Sequence, residues 1–165
     1  MPEAWLTGPI EGIDPYLMPV AHACVQARED VVAATAALTP EQIGARPGGA
    51  ASVGFHMMHL AGSLDRLFTY ARGEALSDAQ KAALKAEGGP DLPDRDALIA
   101  LIRESVDRAL AQLRATPRER LLEDRRVGRA GLPSNTIGLL FHAAEHAQRH
   151  VGQIITTARI VKSQP

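Results

Sequence analysis

Four long segments of the sequence repeat their apolar residues with the period of an α-helix, and this pattern most constrains the fold. No window shows the sustained apolar alternation and β-branched enrichment of a strand. Stretches rich in proline and glycine, which end helices, separate the segments. The pattern therefore predicts an all-α protein in which four helices bury their apolar faces together as a four-helix bundle.

Each predicted helix begins near a residue that can cap it and ends near a proline or glycine. The predicted helices cover residues 14–38, 52–72, 96–115 and 134–161. The expected N-caps are Ser52 for the second helix, Asp94 or Asp96 for the third, and Ser134 or Asn135 for the fourth. These bounds leave residues 39–51 and 116–135 as predicted loops. The connection between the second and third helices is long, as in crossover bundles, and holds a short helical candidate at 77–87.

Composition limits the classes of function that the chain can serve. Its 165 residues predict a single domain over residues 1–165, and the net charge of −1 gives no basic footprint for nucleic acid. No apolar run is long enough to span a membrane, and the first residues lack a signal peptide pattern, so a cytoplasmic protein is expected. Cys24 is the only cysteine, which excludes a disulfide framework and a cysteine zinc site.

Three histidines recur every four residues in the fourth predicted helix. They are His142, His146 and His150. On a helical wheel they lie between the apolar stripe and the charged sector of Glu145 and Arg149, beside further apolar residues. An unsatisfied buried polar group costs about 1–3 kcal/mol, so three such rings in a row need a common explanation.

A metal ion would explain the row, although the row cannot supply every ligand. Neighbouring histidines lie about 6 Å apart along the axis, whereas His142 and His150 lie about 12 Å apart. A third ligand must therefore come from another helix. His56 and His59 stand three residues apart on the second predicted helix, and five of the six histidines fall in these two segments. The clustering predicts three imidazoles with an open coordination position, without selecting which three, and hydrogen-bonded core histidines are the alternative.

Two other catalytic motifs fit the sequence less well. Residues 142–146 read H-A-A-E-H, which matches the inverzincin pattern with Glu145 as general base. Glu145, however, lies on the charged sector of the helix, and the chain is small for a protease cleft. A serine hydrolase needs a strand scaffold and a G-x-S-x-G elbow, and the sequence has neither.

The two histidine segments resemble motifs of a known family. The stretch SVGFHMMHLAGSLDRLFTYARG resembles the second-helix motif of the DinB/YfiT-like family of bundle metalloproteins, and TIGLLFHAAEHAQRHVGQIITTARI resembles its fourth-helix motif. The resemblance covers most of the chain in helix order and length. Its specific part is the combination of HLAGSLDRL with H-x-x-x-H-x-x-x-H-x-G-Q.

The resemblance implies one metal ligand from the second helix and two from the fourth, at His59, His146 and His150. The wheel agrees on the fourth helix, because His142 lies nearest the charged sector. On the second helix, spacing alone favours His56, and only the register of HLAGS selects His59. His56 and His142 then become candidates to line the pocket or to support the ligands.

Further residues are candidates for supporting roles. Metal-ligating imidazoles usually donate their other N–H to a carboxylate or carbonyl, for which Asp65 and Glu145 are candidates. Arg66 and Tyr70 share a flank of the second helix with His59 and are candidates to bind an anionic substrate, with a solvated flank as the alternative. His22 and Cys24 are expected to pack or to face solvent.

The resemblance also implies a chemistry. Characterised relatives resemble S-transferases or isomerases that use a low-molecular-weight thiol, so transfer of such a thiol to a small electrophile is expected, with zinc or nickel as the divalent metal. A hydrolase using metal-bound hydroxide is the second expectation, and a non-enzymatic metal-binding stress protein is the third. The expected partners are a small-molecule substrate and a second copy of the chain in a homodimer.

Overall fold

Four long α-helices form the body of the computed structural model, which describes residues 2–89 and 91–163. Shorter helices and a hairpin lie in the connections. The elements are α1 Met18–Thr35, α2 Pro40–Gly44, α3 Val53–Ala71, α4 Asp78–Ala86, α5 Arg95–Ala115, β1 Asp124–Val127, β2 Leu132–Asn135 and α6 Thr136–Ser163. The predicted bundle is confirmed, with α1, α3, α5 and α6 as its long helices.

Polar side chains cap three of the long helices at the predicted places. Ser52 accepts a hydrogen bond from the backbone N–H of Phe55 at the start of α3. Asp94 caps α5 in the same way, and Asn135 accepts from the N–H of Gly138 in the first turn of α6. Each such cap is worth about 1 kcal/mol, so these residues fix where α3 and α6, the histidine helices, begin.

The first helix is shorter at both ends than the predicted 14–38. Asp14 accepts a hydrogen bond from the N–H of Tyr16 and so caps a 3-10 turn, Pro15–Leu17, before regular helix starts at Met18. The helix ends at Thr35, whose hydroxyl donates to a carbonyl one turn back. Helical periodicity located the helix correctly. It could not separate the 3-10 turn at its start, because that turn carries the same apolar pattern.

Residues 39–51, predicted as a loop, contain the short helix α2. Thr39 and Gln42 form a reciprocal capping box at its start. This T-x-x-Q pattern is a known start signal, but one turn of helix is too short to show a period.

The predicted surface loop 116–135 was wrong over its last part, which forms an antiparallel hairpin. Asp124 pairs with Asn135 and Val127 with Leu132. The buried Arg125 side chain ties the hairpin to the end of α3 by donating to the Ala71 carbonyl at 2.7 Å. The strands are only four residues long and mostly polar, so they lack the apolar alternation that reveals a strand.

The long helices pack so that α1 and α3 each contact both α5 and α6. α1 and α3 therefore occupy opposite corners of the bundle. A single core joins the four helices, with fully buried Val31, Met57, Ile102 and Leu140 as one member from each. None of the helices in the described part of the chain is both long and apolar enough to cross a membrane. Both histidine segments meet where α3 and α6 contact each other.

Candidate metal centre

Three histidines from two helices converge at the interface of α3 and α6. His59, His146 and His150 each offer one ring nitrogen, and these nitrogens lie within 4.8 Å of one another. The Nε2 atoms of His59 and His146 are 3.1 Å apart. Two nitrogens bound to one zinc ion at 2.0–2.1 Å in tetrahedral geometry are about 3.4 Å apart, so the arrangement fits a metal with little movement. These are the three histidines that the family motifs select.

The fourth helix supplies two of these nitrogens because residues four apart share a face. The His146 and His150 ring centroids are 4.6 Å apart, and the His59 and His150 centroids are also 4.6 Å apart. Phe55, one turn before His59, stacks on the His59 ring at 5.7 Å with an interplanar angle of 10°. The three rings are therefore held by packing from both helices.

Glu87 orients the His59 ring from outside the bundle. Its carboxylate lies 2.7 Å from His59 Nδ1, so that nitrogen carries the proton and Nε2 presents its lone pair to the other histidines. Asp65 and Glu145, the candidates for this role, lie elsewhere: Asp65 accepts from Gln80, and Glu145 pairs with residues of its own helix. Glu87 was missed because it follows α4 in the long connection, 28 residues from His59.

Arg66 holds the Glu87 carboxylate in place. The guanidinium donates to both carboxylate oxygens, and both side chains are buried. Burial alone raises the pKa of Glu87, but hydrogen bonds from His59 and Arg66 outweigh it, so the pKa of the carboxyl lies below its usual value. Glu87 is therefore a carboxylate that accepts from His59, and Arg66 compensates its charge.

The small residues of α3 let the connection approach this closely. A Cβ atom at Gly62 would collide with Glu87 and Arg66, and a Cβ at Gly54 would collide with Leu92. The two glycines are eight residues apart, so they lie close to one side of α3. The segment carrying Glu87 and Leu92 thus sits directly against the helix that carries His59.

Arg66 and Tyr70, the two candidates to bind an anionic substrate, differ in their surroundings. Arg66 is buried against Glu87, so the solvated flank considered for it is wrong. Tyr70 is partly buried and packs against the core. Neither side chain contributes a hydrogen bond to the three clustered histidines, and their binding of an anionic substrate stays a prediction.

The two remaining clustered histidines differ in their relation to the site. His56 is buried, and its Nδ1 lies 3.0 Å from Nδ1 of His150, so it supports that ring. His142 is exposed and pairs with Glu145 at 2.7 Å. The H-x-x-E-H interpretation needs His142 and His146 as joint ligands, whereas the convergent set in the described residues uses His150 in place of His142.

Burial keeps the α6 rings of the site in the form that binds metals. It lowers the pKa of His146, and repulsion from His59 adds to the effect. The same two causes lower the pKa of His56, the supporting ring on α3. The pKa of His150 falls to about 4, because burial and then the neighbouring rings disfavour its cation. Neutral imidazole is the ligating form, so these nitrogens are available at neutral pH.

The metal-free protein is expected to lose stability as the pH falls from about 6.5 to about 4. The pKa of His150 drops from 6.5 to about 4 on folding, so in this window the unfolded chain binds a proton that the folded chain does not. The loss should be about 1–2 kcal/mol after allowance for the partial exposure of the ring. Urea unfolding of chelator-treated protein at both ends of the window measures it. His150→Asn should flatten the profile, and an identical loss in that variant would contradict the assignment.

The sequence matches the model of a known protein family. The family model of the DinB superfamily matches residues 23–154, which is most of the sequence. The chain therefore belongs to the DinB superfamily, as the two histidine segments predicted.

Solved structures share the whole fold. YfiT from Bacillus subtilis, described as a probable metal-dependent hydrolase with an unusual four-helix bundle topology, has a TM-score of 0.71 at 18% identity, covering 95% of this chain and 94% of its own. A conserved protein from Enterococcus faecalis has a TM-score of 0.72 at 20% identity, covering 90% of this chain and 98% of its own. No curated protein matches the sequence. At these identities the likeness establishes the fold alone.

Proposed function

We propose that the protein is a metal-dependent enzyme that holds a divalent transition metal ion with His59, His146 and His150. The observation that carries this proposal is the convergence of three ring nitrogens, from two helices, within 4.8 Å of one another. Zinc and nickel both suit three imidazoles, and three protein ligands leave a coordination position for a reactant. The carboxylate on His59 and the neutral α6 rings support the same conclusion.

Transfer of a low-molecular-weight thiol to a small electrophile is the reaction we favour. A divalent cation in such a centre supplies Lewis acidity, which lowers the pKa of a coordinated thiol or water. The sulfur of the thiol would displace a leaving group from carbon, and the thiol proton would pass to solvent. Cys24 cannot supply that sulfur, because it is buried and its pKa is raised to about 12. The thiol must therefore enter as a small molecule.

Hydrolysis is the second candidate, and one observation favours it. The description of YfiT, which shares this fold, is that of a probable metal-dependent hydrolase. A hydrolase would use the same three histidines and the same Glu87 and Arg66 support, with water in place of the thiol. The two reactions differ in the nucleophile and not in the residues that hold the metal.

One pair of assays separates these candidates. Zinc-loaded and nickel-loaded protein is incubated with chlorodinitrobenzene and either cysteine, glutathione, bacillithiol or mycothiol, and chloride release is followed. Nitrophenyl acetate without thiol tests hydrolysis. Thiol-dependent chloride release that is lost in His146→Ala supports transfer, and thiol-independent ester cleavage lost in that variant supports hydrolysis. Rates equal to those of His146→Ala in both assays would contradict an enzyme and favour a metal-binding protein without catalysis.

Replacing Glu87 with glutamine should weaken metal binding by about 10–100-fold, the usual effect of losing a carboxylate behind a histidine ligand. Glutamine keeps the length of the side chain but removes the charge that His59 and Arg66 share. Zinc affinity is measured by competition with a chromophoric chelator. Glu145→Gln is the matched control, because Glu145 pairs with His142 and Arg149. Equal losses in both variants would show that Glu87 has no special role.

A further inference from the structure

A cavity of about 600 Å³, within the size range of small-molecule sites, lies near the start of α3. Two of its walls are the side chains that contact His59, namely Phe55 and Glu87. The end of α2, the loop before α3 and the connection after α4 supply the rest. A molecule bound there would contact two side chains that in turn contact one of the three convergent histidines.

The charges around this cavity favour an anion. Arg46 is the one cationic residue among the lining residues, and its only side-chain hydrogen bond within the described residues is a long one, 3.4 Å, to the Ala50 carbonyl. Glu87 adds little opposing charge, because the buried Arg66 pairs with it. The cavity also borders Ser52, the N-cap of α3, where the helix dipole is positive. A carboxylate could accept two parallel hydrogen bonds from the Arg46 guanidinium.

Two of the side chains that line the cavity are large and apolar. Phe55 presents the ring that stacks on His59, and Leu92 rests over Gly54 on α3. Glycines at 44, 88 and 89 also line the cavity, and they leave space and add no polar side-chain groups. A ligand with one anionic end and one apolar end would satisfy both parts.

We propose that this cavity binds a small apolar carboxylic acid as its anion, with the carboxylate on Arg46 and the apolar body between Phe55 and Leu92. The assignment names the substrate class for the metal centre and in that respect rests on the proposed function. Its binding step involves residues that are not metal ligands. It can therefore be tested on metal-free as well as metal-loaded protein.

The test compares phenylbutyrate with its uncharged amide, phenylbutyramide, by calorimetry and ligand-observed NMR. Phenylbutyrate should bind more tightly than the amide to the wild type. Arg46→Gln should weaken phenylbutyrate by about tenfold and leave the amide unchanged. Arg129→Gln is the matched control, because Arg129 is exposed in the hairpin turn, and the hairpin is tied to the other end of α3. Leu92→Ala should weaken acid and amide alike.

Three outcomes would overturn the proposal. The first is equal affinity for acid and amide, or no binding of either. The second is an effect of Arg129→Gln as large as that of Arg46→Gln. The third is phenylbutyrate binding that is unchanged in Arg46→Gln but lost in His146→Ala. The carboxylate would then bind the metal and not Arg46.

Two further arms keep this proposal apart from the proposed function. Glutathione, which carries its carboxylates on a polar tripeptide, is titrated in parallel. If only glutathione responds to Arg46→Gln, the anion belongs to the thiol and the apolar acid is wrong. If the protein binds no metal but phenylbutyrate still depends on Arg46, the proposed function fails and the cavity assignment stands.

Discussion

Replacing His146 with alanine should lower the affinity for zinc or nickel by at least about 100-fold, more than loss of a supporting hydrogen bond usually does. His146 Nε2 faces His59 Nε2 across 3.1 Å, so its loss removes one of the three convergent donors. Two imidazoles would remain, and neither neighbouring ring can take its place, since His56 lies behind His150 and His142 points to Glu145. Elemental analysis after dialysis and competition with a chelator measure the change.

His142→Ala is the control for this prediction. It removes an imidazole from the same helix, one turn away, but from an exposed side chain that is outside the convergent set. Its metal content should equal that of the wild type. If both variants lose metal equally, or if neither does, the centre described here does not bind the ion.

Replacing Arg66 with methionine should destabilise the fold by about 3 kcal/mol, because it leaves the buried Glu87 carboxylate without its guanidinium. The Arg66 and Glu87 side chains are 10% and 6% exposed, so water cannot fully replace the lost partner. For a chain of this length, the midpoint of thermal unfolding should fall by about 10 °C. Calorimetry on chelator-treated protein measures the effect without a contribution from bound metal.

Arg28→Met provides the comparison, because Arg28 pairs with Asp107 at the surface, where an ion pair is worth about 0–1 kcal/mol. The double variant Arg66→Met with Glu87→Met should regain most of the lost stability, since no unpaired charge is then buried. Equal destabilisation by the two single arginine variants would show that the buried pair has no special weight. A double variant no more stable than Arg66→Met alone would contradict the charge explanation.

The sequence specified the bundle because periodic apolar faces report directly on helices that share a core. It also indicated the histidine cluster, but the helical wheel favoured His56 over His59. The wheel measures how apolar a position is, and His56 is indeed the more buried ring. It lies behind His150, whereas the less buried His59 faces the α6 nitrogens. Only the family motif carried that distinction.

The partner of His59 could not be predicted, for a different reason. Glu87 comes just after α4, and S-x-x-Q at its start is a capping box that marks this helix. Nothing in the sequence, however, says which surface a connection will cover. Here the connection covers α3 because Gly62 leaves space for Glu87 on the surface of that helix. The spacing of residues along the sequence does not show this contact. The hairpin was missed similarly, since Arg125 anchors it by one long-range hydrogen bond.

The contact between Glu87 and His59 links the proposed metal site to a segment outside the four long helices. α1 and α3 each contact α5 and α6 directly, whereas the orientation of the His59 ring depends on Glu87, in the connection after α4. A molecule in which Glu87 has moved away would lose both the partner of His59 and the partner of the buried Arg66. Sequence changes in the connection that reach Glu87 are therefore expected to alter the stability of the bundle together with the proposed metal site.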